Sequence, residues 1–215
     1  MKKQRATQVI VSASIGACFL LFASISSGSN FGYSTLGIDL VNTIFDDDAC
    51  VPHRGGLDCY DGVAGLSLSG SYQASENIVL RLSANYQQND SSNTEINASG
   101  SGVGLGFVQG VGTQTDIGIA VDFVWVEAEV CSHGFCVKED DTGIGLSAFA
   151  RHWVNPRFEI NGGVARVNLS DFGDETGVSV GLAGWFTEHS SIRGGVTVAD
   201  DSTSFSLGYL YTFGR

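Results

Sequence analysis

The sequence has little proline, little charge and very little positive charge. There are 2 Pro, and 11 Lys plus Arg stand against 23 Asp plus Glu in 215 residues. Charged residues make up 16%, well under the roughly 25% of an average soluble domain. The net charge of −12, three units more negative once Lys2, Lys3 and Arg5 are set aside, excludes nucleic acid as a partner and disfavours a bare anionic lipid surface. After residue 29 no apolar run approaches the roughly 18 residues of a membrane helix, so any crossing of a bilayer falls to strands. A sustained helical period is missing too. What is abundant is glycine, 29 residues, and hydrophobic side chains, 43%.

The first 29 residues differ from the rest. Lys2, Lys3 and Arg5 precede a nearly uncharged apolar stretch from Val9 to Ile25, and small residues Ser26-Ser27-Gly28-Ser29 follow. This order is that of a secretory signal peptide, with cleavage between Ala23 and Ser29 and a mature chain from near Asn30. The expected organisation is therefore a signal peptide at 1–29 and one β-domain at 30–215. Ile15-Gly16-Ala17-Cys18 offers a rival lipoprotein reading, but the apolar run continues through Phe19-Leu20-Leu21-Phe22 beyond the cysteine.

From Phe31 onward, period-two alternation recurs between turn residues. Ten strands are expected, near 31–41, 62–74, 77–88, 100–111, 115–130, 141–153, 157–170, 175–187, 190–200 and 203–213, with eight as the alternative count. In the last, Phe205, Leu207, Tyr209, Tyr211 and Phe213 share one face, opposite Ser204, Ser206, Gly208 and Thr212. Ile117, Ile119, Val121, Phe123 and Trp125 repeat the pattern, as do Ile78, Leu80, Leu82, Ala84 and Tyr86. Between Val164 and Val167 the parity changes, which predicts a bulge near Ala165. Links alternate in length: short at 75–76, 112–114, 154–156 and 188–189, long and polar at 42–61, 89–99 and 131–140.

A β-sandwich also alternates, so the choice of a membrane barrel rests on other features. The charged residues near strand centres, Arg81, Asp122, Glu159 and Arg193, all belong to the polar set, where they would face a lumen. That set is otherwise Gly, Ser and Ala rather than the Lys and Glu of a solvated surface. Tyr33, Tyr72, Trp153, Phe158, Phe186, Tyr211 and Phe213, together with Phe31, fall at strand ends on the side of the short turns, as a periplasmic aromatic girdle would. A sparser upper set is Tyr86, Trp125 and Phe205.

The export signal, the succession of hairpins and the closing run from Ser204 to Phe213 resemble the small bacterial outer-membrane protein β-barrel family over residues 31–213. The resemblance implies an antiparallel up-and-down transmembrane barrel in the Gram-negative outer membrane, in contact with lipid and lipopolysaccharide. It also implies a C-terminal strand read by the barrel-insertion machinery. In the family that strand usually ends in an aromatic residue; here Gly214 and Arg215 follow Phe213.

Apart from Cys18, four cysteines remain, an even number in an exported chain, which points to disulfides. Three pairings exist, and the local one joins Cys50 to Cys59 and Cys131 to Cys136. A metal reading with His53 and His133 competes, but the spacings fit no familiar zinc pattern. The acidic runs Asp46-Asp47-Asp48 and Glu139-Asp140-Asp141 are expected as solvated external loop tips rather than cation sites. Asp47 with His53, or His133 with Asp140, is a conceivable acid–base pair, yet His152 and His189 lie at the opposite end and no catalytic set gathers. No enzyme activity, cofactor or metal is expected. The expected role is structural or surface interaction, through stapled external loops and a ligand the sequence does not name. A narrow pore for small solutes is the alternative and a rim hydrolase a third reading. Arg81, Asp122, Glu159 and Arg193 correspondingly form either a salt-bridged plug or a pore constriction.

Overall fold

The computed structural model describes residues 33–53, 56–90, 94–132 and 135–213, so the expected signal peptide at 1–29, Phe31 and His133 lie outside the described residues. Ten strands follow one another: β1 Thr35–His53, β2 Gly56–Gln73, β3 Ile78–Asp90, β4 Thr94–Val111, β5 Thr115–Ser132, β6 Phe135–Asn155, β7 Phe158–Leu169, β8 Gly173–Trp185, β9 Ser190–Ala199 and β10 Ser202–Thr212. Each pairs antiparallel with its sequence neighbours, and β1 pairs with β10 from Thr35↔Thr212 to Phe45↔Ser202, so the sheet closes on itself. Closure removes the sheet edges, and with ten strands it settles the count.

Alternation decides which face of each strand looks inward. Across the lower part of the barrel the apolar set points out: Leu36, Ile38 and Leu40 on β1, Ile117 to Trp125 on β5, and Phe205 to Phe213 at the C-terminus are all exposed. Such a belt is stable only against lipid. Gly112 and Gly173 take positive φ at tight reversals, 71° and 89°, which residues with a Cβ rarely adopt.

Among the described residues, the long polar links expected at 42–61, 89–99 and 131–140 are strand rather than loop. β1 and β2 continue as a ladder to His53↔Gly56, β3 and β4 to Asp90↔Glu95, and β5 and β6 to Ser132↔Phe135. The period of two persists there but its polarity inverts. On β5 the outward residues change from Phe123 and Trp125 to Glu127 and Glu129, while the inward ones change from Asp122 to Val124, Val126 and Ala128. Strands that leave the lipid for water must turn their polar face outward, so the same ladder serves both media.

The inverted faces meet above the barrel. Phe45, Ala49, Val51, Tyr60 and Val63 of β1 and β2 pack in one buried cluster with Ile96 and Ala98 of β4, Val124, Val126 and Ala128 of β5, and Ala165, Val167 and Leu169 of β7. Val167 therefore points inward in ordinary register. The bulge expected near Ala165 is absent, because β7 pairs without interruption from Phe158↔Gly184 to Leu169↔Gly173. Irregularities lie elsewhere, between Trp153 and Asn155, and between Ile44 and Ala49, where Phe45 to Asp48 of β1 stand against the single Asp61 of β2.

The crown is lopsided. Beyond Gly143↔Leu169, β6 has no ladder partner on its β7 side, and the β7–β8 and β9–β10 turns end low. The β1–β2 hairpin and the β3–β6 ribbon thus stand above the rest.

Candidate functional site: the lumen and the crown

The four charges expected to face the lumen, Arg81, Asp122, Glu159 and Arg193, are all buried there, and their ion pairs involve three different sets of partners. Arg81 pairs with Asp122 at 3.4 Å and reaches the Ser147 hydroxyl. Arg193 instead grips Asp39, donating from Nε at 2.7 Å and Nη2 at 2.5 Å, and also reaches Ser69 Oγ at 3.0 Å. Glu159 is chelated by Arg151, through contacts to both carboxylate oxygens, and accepts from Trp185 Nε1 at 3.1 Å. Sequence reasoning missed Asp39 and Arg151. Both were legible in parity: Asp39 alternates with the lipid-facing Ile38 and Leu40, and Arg151 has the parity opposite to the outward Ile144, Leu146 and Val154 of β6.

Glycine makes room for these pairs. A Cβ on Gly104 would collide with the Asp122 carboxylate, one on Gly208 with that of Asp39, and one on Gly37 with the Arg193 guanidinium. The ring of Phe149 likewise occupies the space a side chain at Gly118 would need. The small inner residues therefore accommodate large inner side chains.

Toward the short-turn end, Arg151 stacks over Trp153 at 4.7 Å and near Trp185 at 5.8 Å, and those two rings lie 5.7 Å apart. Trp153 is thus a lumen residue and not part of the girdle. Tyr33 also turns inward, its hydroxyl donating to Asp116 Oδ2 at 3.3 Å. Both were placed in the girdle from position along the strand, whereas parity sends them inside. Tyr72, Phe158, Phe186, Tyr211 and Phe213 do face outward. Higher up, the Thr43 hydroxyl donates to Gln87 Oε1 at 2.9 Å and lies 2.8 Å from Ser204 Oγ.

In the crown, Cys50–Cys59 and Cys131–Cys136 are disulfides between directly paired strand positions. Glu129 lies beside the second, but its sulfurs are committed to the bond. Thr94 ties the two parts of the crown together, contacting the Tyr60 hydroxyl and donating to Asp58 at 2.7 Å. Lys138 bridges to Glu127 at 2.7 Å across the β5–β6 ladder, and that carboxylate holds its ammonium above the ordinary lysine pKa. Asp141, expected in a solvated run, is buried: its Oδ2 accepts the N–H groups of Asp171 and Phe172 at 2.7 and 3.1 Å, capping the β7–β8 turn. Asp140 is exposed, and the Asp46 to Asp48 run is exposed at its bulge. His152 sits at the short-turn end with Nδ1 2.9 Å from the Thr115 hydroxyl, and His189 near the Tyr211 ring. On the outer wall, Ala148, Ala150 and Gly162 floor an apolar groove of about 650 Å³ between Phe107, Ile117, Ile119 and Val178, within the lipid-facing belt.

Among curated proteins none matches this sequence. Solved structures similar in fold include Ail, the attachment invasion locus protein of Yersinia pestis, at 14% identity and TM-score 0.46, covering 84% of this chain and 97% of that one. Neisserial surface protein A is similar at 11% identity and TM-score 0.46, with 84% and 97% covered. An outer membrane channel from Pseudomonas putida F1 is similar at 12% identity and TM-score 0.49, with 85% and 96% covered. The family model described as outer membrane protein beta-barrel domain matches residues 13–213. A closed barrel with a lipid-facing belt and a match over nearly the whole chain agree: the protein belongs to the outer membrane protein β-barrel domain family, whose setting is the bacterial outer membrane.

Proposed function

We propose that the protein is a closed, non-conducting barrel whose work is done by its crown, as a surface-interaction or structural element of the outer membrane. One observation carries this reading. A water-filled bore would wet the side chains that line it, whereas Val79, Thr43 and Gln87 are 0% exposed and Arg151 is 2% exposed, at different heights of the lumen. Above them the apolar crown cluster lies over the mouth. The β5–β6 hairpin, cross-linked by Cys131–Cys136 and carrying the exposed Phe135 and Val137, offers an exposed surface for contact with a partner.

The test is planar-bilayer recording on refolded protein whose folding is confirmed by heat-modifiable migration. Folded protein that inserts without discrete current steps is the expected result. Regular ion steps from the same material would overturn the closed lumen and return the protein to the narrow pores.

A further inference from the structure

The upper end of β8 is held in the sheet on one side. Its ladder with β7 runs up to Leu169↔Gly173, whereas its ladder with β9 starts only at Gly177↔Ala199. Among the described residues, 173–176 therefore have strand pairing toward β7 alone. Toward β9 the Asp200 carboxylate stands in, its Oδ2 accepting Thr176 N–H at 2.9 Å. Glu175 lies in this segment, above the lipid-facing Val178, Val180 and Leu182, and alternation turns it inward. It is 5% exposed, and neither of its carboxyl oxygens has a hydrogen-bond partner. Its partner on β7 is Val167, a member of the buried crown cluster.

The charged groups around the segment supply no counter-charge among the described residues. The β9–β10 turn brings Asp200 and Asp201. β6 brings Asp141, whose carboxylate accepts the N–H groups of Asp171 and Phe172 in the adjoining turn. β1 brings Asp46, whose N–H donates to the Asp201 carbonyl at 3.1 Å. The cation of this side, Arg166 on β7, is exposed and held by Asp174. Burial first, and then the like charge of Asp200 and Asp201, push the Glu175 carboxyl up to about 9, so at neutral pH it keeps its proton. A neutral acid is tolerated there, but a carboxylate without a partner is not. The ready relief is for a strand end paired on one side to swing it into water.

We propose that the top of β8, residues 173–176, is a proton-controlled latch on the low side of the crown, closed against β7 while Glu175 carries its proton and released when that proton leaves. Release uncovers the crown cluster at Val167 and Leu169, the β7 partners of Glu175 and Gly173, so the surface shown outward changes with pH. In the released segment the carboxyl titrates near its ordinary 4.5, and in the closed one near 9. Acid thus keeps the latch shut. Between those two values release gives up one proton, and its equilibrium constant rises by up to about tenfold per pH unit.

The experiment is hydrogen–deuterium exchange, read by mass spectrometry, on refolded wild type and Glu175→Gln in detergent from about pH 6 to about pH 8, inside that window. Heat-modifiable migration confirms that both are folded. Gln keeps the shape of the side chain and cannot ionise, and base catalysis of exchange is common to both proteins, so the ratio of their rates reports the latch. Over residues 173–176 the wild-type to variant ratio is expected to rise by up to about tenfold per pH unit, and over the lipid-facing ladder to stay level. Within the wild type, exchange at 173–176 should steepen with pH relative to the uncharged turn at 112–114, a comparison that stands even if the variant fails to fold. A ratio that does not change with pH, or a wild type in which 173–176 follows 112–114, would overturn the latch and leave Glu175 a passive buried acid.

Discussion

Arg193 on β9 and Asp39 on β1 clasp each other across β10, with Gly208 between them in the ladder and no Cβ in the way. The pair joins the first strand to the penultimate one and so bridges the seam where the barrel closes. Breaking it from one side strands a buried guanidinium. Asp39→Ala is expected to destabilise the barrel by about 3–5 kcal/mol, while Asp39→Leu combined with Arg193→Met should recover most of that loss. Urea unfolding of refolded protein in detergent measures both, and equal loss in the single and double variants would show that the pair is not coupled.

Gly208→Ala places a methyl against the Asp39 carboxylate and the Ile38 carbonyl. Overpacking of this kind costs about 1–3 kcal/mol. Gly70→Ala is the control, since its Cβ would meet nothing nearer than the Thr35 carbonyl at 3.9 Å. The same unfolding assay should separate the two; equal stability of both variants would mean that the seam gives way freely.

Asp141→Ala removes the acceptor of three backbone N–H groups, those of Thr142, Asp171 and Phe172. Charged hydrogen bonds are worth about 1.5–3 kcal/mol each at most, and water replaces part of them near the rim. The expected outcome is faster amide exchange confined to residues 170–172 and adjoining β7, with the belt unaffected. Unchanged exchange there would show that the turn holds itself.

The ladder was legible in the sequence because lipid imposes a simple rule on it: the runs Ile117 to Trp125 and Phe205 to Phe213 can bury nothing unless they face hydrocarbon. Above the belt the rule changes sign. Residues 42–61 and 131–140 look like polar loops when judged by the membrane pattern, yet Ala49, Val51 and Tyr60 are inward in a continuing strand. The bulge expected near Ala165 failed for the same reason, since Val167 is apolar and inward where the interior has become a dry core. Trp153 and Tyr33 were misplaced because height along a strand was weighed above parity. Partners inside the lumen, such as Asp39 for Arg193, depend on register across strands far apart in sequence, which no local pattern carries.

Because the belt and the crown obey opposite patterns, they should also fail separately. Replacing Cys50, Cys59, Cys131 and Cys136 by serine removes two short closures, worth about 2–3 kcal/mol each by chain entropy. That constraint acts on hairpins whose strands remain paired for many residues below, so the loss falls on the crown and leaves the lipid-facing ladder intact. The serine variant is expected to keep heat-modifiable migration while a protease added to folded protein in vesicles clips it near 50–59 and 131–136. The wild type should resist until reductant is added. If the variant instead lost its heat-modifiable form, the crown would be a condition for closing the barrel, and the independence of the two halves would be wrong.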